Sequence, residues 1–461
     1  MVDDLTSKSA IELLQLIKTR AAGSAEIVEA HLRRIEQANP ALNAIVTVAP
    51  DAVERARERD AQLAQGKVCG PLHGLPITVK DTIDTANIRT TRGSRLFAEH
   101  VPAHDAAVVE RLKAAGAIVL GKTNVPEMAI PYETDNPVFG RTNNPHDVTR
   151  TPGGSSGGEA AAIAAKLSPA GVGSDLSGSI RVPAHFCGIA GLKPTPGAVP
   201  MAGHVPQAAG PLSLGAVIGP MARHVDDLAL LFAVMANKPE AEWLERNLEL
   251  TGIRVASLAD NEVTPVTHEI AGAIRRAANI LEAAGLRVVK ERPPAITDSS
   301  RLWIELFSQA ATGQIRALYR GREREAGAAV SVFLQSDQEA TFEERIDMAE
   351  RLAAAVVERE RLRERLLRWM RDTPLVLTPA SASAAFTHGA AQIEIKGRQT
   401  NIFRSCAYSH AANVFGLPAA VVPVTCTRAG LPVGVQLIGR PAAEWQVLAA
   451  AAIIERETGW Y

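Results

Sequence analysis

Two glycine- and serine-rich stretches, TPGGSSGG at 151–158 and SDLSGSIR at 174–181, hold the residues best suited to attacking or polarising a carbonyl. Glycine has no Cβ, so a reacting atom can come close to the backbone. A serine hydroxyl becomes a nucleophile when a neighbouring base takes its proton. GGSSGG satisfies G-x-S-x-G twice, centred on Ser155 or Ser156, which is the pattern of a nucleophile elbow between a strand and a helix. An esterase of that α/β-hydrolase-like kind would need an acid and then a histidine later in the chain, and His185, His204, His388 and His410 are available. The plain alternative is a tight turn. SDLSGSIR repeats the theme. It reads either as a turn closed by an Asp175–Arg181 ion pair or as backbone N–H groups aimed at a developing oxyanion beside a serine.

Lys80 ends the apolar run GLPITVKD. An exposed lysine there would be inert. A buried one would have its pKa lowered, because desolvation disfavours the ammonium, and a neutral lysine is a competent base. GAIVLGKT at 116–123 matches the written pattern of a phosphate-binding loop. It is rejected on physical grounds. A helix precedes it, and its β-branched middle is itself a strand that cannot curl around phosphates.

These residues need elements to hold them. Apolar spacings of three and four predict helices over 9–18, 24–39 and 51–66, with Ser9 and Glu12 as a capping box and Asn39-Pro40 as a stop. LPITVKD, AIVLG and SPAGVGSD read as strands; AAVVERLKAAG and 156–166 read as helices. Beyond Ala236, NKPEAEWLERN reads as a connection, followed by strand GIRVASLA, helix 268–284 and strand LRVVKE. Thr341 and Glu344 predict a second capping box, opening a long helix to about Arg371 with Leu352, Val356, Leu366 and Trp369 on one stripe. PLVLTPA, PAAVVPV and GVQLIG are strands, 403–414 is a helix, and a last helix starts at Ala443. Strands alternating with helices predict a sheet sandwiched between helices.

The composition fits a large soluble core: 46% apolar, 21% charged and a formal net charge of −1. That balance argues against nucleic acid or an anionic membrane as a partner. The longest plainly apolar run, 228–236, is too short to span a bilayer. The start, MVDDLTSKSA, is unlike a secretory signal. Cys69, Cys187, Cys406 and Cys426 lack metal or disulfide spacing and are expected to be reduced and buried in a cytoplasmic protein.

In this order, GLPITVKD, TPGGSSGGEAAAIAA, GSDLSGSIRVPAHFCGIAGLKPT, VIGPMARHVDDLALL and NVFGLPAAVVPVTCTRAGLPVGVQLIGRP together resemble the amidase signature family. The resemblance runs from about Leu14 to Thr458 and thins between about 237 and 375. It implies a single α/β/α domain over 1–461, a large mixed sheet covered by helices on both faces. Within it, 1–66 are N-terminal helices, 67–236 the signature core, 237–375 a more variable substrate-side part and 376–461 a return to the sheet. It also implies amide hydrolysis by a Ser–cis-Ser–Lys triad with no metal or cofactor. Matched motif by motif, Lys80 is the base, Ser155 the bridging serine on a cis peptide and Ser179 the nucleophile. Backbone N–H groups of Leu176, Ser177, Gly178 and Ser179 would hold the oxyanion, with Ser156, Asp175 and Arg181 as braces. Met128, Tyr132 and Gly154 are expected at the substrate pocket. Phe139, the segment 380–400, and Trp303 with Phe307 are further candidates. The family usually has glycine where this chain has Ser177. If that position needs φ > 0, serine costs roughly 1 kcal/mol; if it does not, the side chain can add a hydrogen bond.

The expected substrate is a small amide-type molecule, with aryl amides, carbamates or esters sharing the same chemistry. The chain is expected to act as a monomer or homodimer. The alternative function is an amidotransferase A-type subunit that makes ammonia from glutamine for a partner.

Overall fold

Short, continuously apolar runs such as AIVLG and PAAVVPV cannot alternate between core and solvent, so both of their faces must be covered. The computed structural model describes residues 4–238, 250–260, 264–335 and 342–461. Its strands in chain order are β1 (Ile45–Val48), β2 (Pro76–Lys80), β3 (Ile118–Thr123), β4 (Ala170–Asp175), β5 (Ala190–Lys193), β6 (Val217–Ala222), β7 (Arg254–Ser257), β8 (Arg287–Val289), β9 (Leu375–Pro379), β10 (Gln392–Ile395), β11 (Arg398–Asn401), β12 (Ala419–Cys426) and β13 (Pro432–Ile438). Eleven of them form one sheet in the order β1-β3-β2-β4-β6-β5-β12-β13-β9-β7-β8, and β10 pairs with β11 in a separate hairpin. The sheet is mixed. β2 runs parallel to both β3 and β4, whereas β4, β6, β5, β12, β13 and β9 are successively antiparallel.

Side chains on β12 alternate between two apolar cores, as a strand period of two requires. Ala420, Val422 and Val424 face one core, shared with helices Val225–Met235, His268–Ala283 and Glu444–Thr458. Ala419 and Val421 face the other side. There the stripe Leu352, Val356, Leu366 and Trp369 of helix Phe342–Trp369 packs with Phe307 and Phe415. No helix among the described residues is long and apolar enough to cross a membrane.

The capping box at Ser9 and Glu12 is present. The expected stop at Pro40 is not. Helix Ser24–Leu42 carries Pro40 in its last turn, where one missing N–H bond is tolerable, and it ends at left-handed Asn43. Asn39 Oδ1 then takes the N–H groups of Ala44 and Ile45. The helix expected over 403–414 is broken into Ile402–Ser405, a 3-10 turn Ala407–Ser409 and His410–Val414. Its carbonyls have outside partners: Ser405 accepts from Ala382 N–H, Tyr408 from Gln436 Nε2 and Ser409 from Arg181 Nη1. Cys187 and Cys406 are buried as expected, but Cys69 and Cys426 are exposed, and all four are free thiols. The connection expected at 237–247 lies mostly outside the described residues, as does Thr341 of the second capping box.

Candidate active site

Parallel β2 and β4 end side by side and set Lys80 next to Ser174 and Asp175. Lys80 is fully buried, so it is not an exposed, inert strand-end lysine. Its Nζ lies 2.7 Å from Ser155 Oγ, 3.0 Å from Ser174 Oγ and 3.4 Å from the Ser174 carbonyl. Burial pushes its pKa from 10.5 down to about 7, against the opposing pull of Asp175 and Glu159. Glu159 is itself buried and accepts hydrogen bonds from the Thr78 and Thr123 hydroxyls. Its pKa rises to about 7, mainly through desolvation. In GAIVLGKT, residues Ile118–Thr123 are strand β3, and Lys122 is buried on the Ile83 carbonyl and Thr85, so the sequence forms no phosphate loop.

The Gly154–Ser155 peptide is cis, and helix Gly157–Ala164 follows the serine pair. Ser156 staples this loop to its neighbours. Its N–H donates to the Ser179 carbonyl at 3.1 Å, and its hydroxyl oxygen takes the Ser174 N–H at 3.3 Å. The elbow reading fails here, because each of its histidines is bonded elsewhere. His185 bonds Gly434 and Ser383, His204 bonds Thr82, Ser174 and Pro206, His388 bonds Glu133, and His410 bonds Tyr132.

The turn after β4 is held from several directions. Asp175 and Arg181 form a fully buried two-pronged ion pair, with Nε to Oδ2 at 3.0 Å and Nη2 to Oδ1 at 2.9 Å. Burial alone would raise the Asp175 pKa, but Arg181, Lys193 and Asn413 outweigh it and hold the carboxyl well below its usual range. Asp175 also takes the N–H of Ile180 at 3.1 Å. The Gly178 N–H, expected among the oxyanion donors, is given to Asp175 Oδ1 at 2.9 Å.

The left-handed position in this turn is Gly178, at φ 107°, where a Cβ would lie 2.5 Å from Ser409 Oγ. Ser177 lies outside the left-handed region, so its side chain costs no backbone strain. Two aromatic donors orient the neighbouring peptide planes. Trp303 Nε1 donates to the Leu176 carbonyl at 2.8 Å, and Tyr132 Oη donates to the Ser177 carbonyl at 2.8 Å. A trans peptide is planar with C=O and N–H opposed, so fixing the Leu176 carbonyl also fixes the direction of the Ser177 N–H.

Ser155, Ser179 and Ser177 open onto a cavity of about 650 Å³. Ser179 is only 7% exposed. The walls include Met128 and Tyr132, as expected, and Leu176, Trp303, Phe333 and Phe403. Gly154 is not part of the wall. A Cβ there would sit 2.7 Å from the Pro131 carbonyl oxygen, so the glycine serves close packing behind Ser155. Phe307 is core, Phe139 lies under Arg89, and the segment 380–400 lies outside the cavity, with Ala385 and Phe386 in a core cluster and β10 within it.

Asp175 is the only formally charged residue in the described wall, and its charge is matched by Arg181. One wall comes from a continuous helical run: Ser299–Trp303, a π-turn Ile304–Ser308 and Gln309–Tyr319. Tyr319 anchors its end by donating to Glu127 Oε1 at 2.6 Å. Sequence reasoning missed the parts played by Ser174, His204, Glu159, Asn413 and Gln436. Ser174 alone had a local signal, its place beside Asp175 at the strand end.

The family model described as Amidase matches residues 26–448. The A-type subunit of glutamyl-tRNA(Gln) amidotransferase from Carboxydothermus hydrogenoformans is 35% identical, covering 98% of this chain and 98% of that protein. The indoleacetamide hydrolase of Bradyrhizobium diazoefficiens is 34% identical, covering 98% of this chain and 86% of that protein. The solved structure of a bacterial aryl acylamidase superimposes with a TM-score of 0.86 at 27% identity, covering 98% of this chain and 96% of that one.

Proposed function

This chain belongs to the amidase signature family and is an amide-bond hydrolase, and on that premise we propose that it works through an acyl-enzyme on Ser179. The observation that carries the proposal is the buried Lys80 amine, 2.7 Å from Ser155 Oγ. Neutral Lys80 takes the Ser155 proton while Ser155 takes that of Ser179. Ser179 Oγ bonds to the substrate carbonyl carbon, and the carbonyl π pair moves to oxygen. Backbone N–H groups of Leu176, Ser177 and Ser179 stabilise that oxyanion. The C–N bond then breaks, and the proton returns from Lys80 through Ser155 to the leaving nitrogen. Water, deprotonated along the same relay, releases the acid.

Favoured substrates are uncharged amides with an apolar aryl or alkyl portion. Carbamates and esters of the same shape are candidates for the same relay. The described cavity wall offers no unmatched charge to an ionic substrate. Glutamine would place its ammonium and carboxylate there without counter-ions. That favours stand-alone hydrolysis over an amidotransferase role, although both kinds of protein stand among the relatives.

A fluorophosphonate should label Ser179, as mapped by mass spectrometry, and Ser179→Ala should abolish the adduct. An adduct that persists on Ser155 in Ser179→Ala overturns the assignment. A glutaminase assay run beside chromogenic amides, carbamates and esters separates the two functions.

A further inference from the structure

A neutral lysine amine has two N–H bonds and one lone pair. Lys80 acts as a base on Ser155 only if the lone pair faces Ser155, so both of its N–H bonds must go to Ser174. The Ser174 carbonyl, 3.4 Å away, can only accept. The Ser174 hydroxyl, 3.0 Å away, can accept or donate. As a donor to Lys80 it would occupy the lone pair and idle the relay.

His204 decides which way that hydroxyl points. Its Nδ1 lies 2.8 Å from the Pro206 carbonyl, an acceptor only, so Nδ1 carries the hydrogen. Nε2 is therefore a bare lone pair, 2.9 Å from Ser174 Oγ and 3.1 Å from Thr82 Oγ1. A bare nitrogen in a buried site has to be donated to. Both hydroxyls can only donate to it; Ser174 Oγ is the nearer, at 2.9 Å against 3.1 Å for Thr82 Oγ1, so the Ser174 proton is drawn toward Nε2 and the Ser174 lone pairs are left for Lys80. We propose that His204 is a positioning residue that acts through Ser174 to hold the Lys80 lone pair on Ser155. Burial keeps the imidazole neutral, with its pKa pushed down to about 4, so this arrangement persists at neutral pH. The inference rests on Lys80 being the base of the proposed relay.

The test compares kcat and KM on a chromogenic aryl amide for wild type, His204→Leu, His204→Gln, Ser174→Ala, the Ser174→Ala/His204→Leu double variant and Lys80→Ala. His204→Leu should lower kcat about tenfold, short of the hundredfold typical of a lost catalytic donor, with KM within about twofold. His204→Gln, whose side-chain carbonyl can accept from Ser174, should recover to within about threefold of wild type. The double variant should be no slower than Ser174→Ala, because the two residues act as one unit.

Wild-type kcat in His204→Leu overturns the proposal. So does an equal loss in His204→Gln, or a further loss on top of Ser174→Ala. If His204→Leu does not melt as a folded protein, His204→Asn, too short to reach Ser174, replaces it with the same opposed outcomes. Near-wild-type activity in Lys80→Ala removes the relay itself. Loss there with a neutral His204 result removes only the part assigned to His204.

Discussion

A base must be unprotonated to work, so the Lys80 pKa sets where activity falls. Its value is depressed to about 7, chiefly by burial. Below that pH the amine is increasingly an ammonium without a lone pair, so kcat/KM should fall about tenfold per unit as pH drops and level off above it. An acid limb near 10, the ordinary range for lysine, or none at all, would contradict the assignment. Lys80→Ala should lose several powers of ten at every pH. Lys80, Ser155 and Ser179, the proposed triad, could be picked out because each sits inside a long local motif that carries the family resemblance. Whether Ser177 carries strain was left open by the motif, which did not say that its neighbour Gly178 carries the positive φ. His204 stood out only as a possible elbow histidine. Its partner Ser174 is thirty positions away, and nothing in either neighbourhood reports the pairing.

Among the elements, the helical run 299–319 does most to join pocket and chemistry. Ile304, Ser308, Ala311 and Ile315 line the cavity, and Trp303 reaches past it to the Leu176 carbonyl. Trp303→Phe keeps an aromatic ring and removes the N–H. The Leu176 carbonyl then loses a bond worth about 1 kcal/mol, and the Ser177 N–H loses its fixed direction. The expected result is a fall in kcat of up to about tenfold, with KM and melting temperature little changed. An unchanged kcat would mean that the turn is held well enough without the indole. This run was not read from sequence. Its apolar residues face a cavity on one side and a core on the other, which blurs the single stripe that periodicity detects. The β10–β11 hairpin was missed for the opposite reason, because its residues are mostly polar and exposed. β2, β3 and β4 were found readily, being fully buried strands with continuous apolar or small residues.

For the whole molecule, the alternation of strands and helices made a sheet between helices legible and the family resemblance its mixed character, but neither gave its order. β5 lies beside β12, more than two hundred positions on, and no local pattern encodes that neighbour. Arg181 makes one of the bonds across this gap. Besides Asp175 it donates to Ser409, Asn413 and Gln436, from the far end of the chain. Arg181→Met strands a buried carboxylate and should cost about 3–5 kcal/mol, read as a shift in denaturant midpoint. Adding Asp175→Asn should recover part of that loss, and an unshifted midpoint in the single variant would show the pair to be dispensable. The same bond has a bearing on biosynthesis. Lys80, Ser155 and Ser179 leave the ribosome before the groups that brace Arg181, which follow it by more than two hundred positions. On the proposed mechanism catalytic competence therefore waits for β13, and a nascent chain lacking it carries the proposed triad without the scaffold that holds its turn.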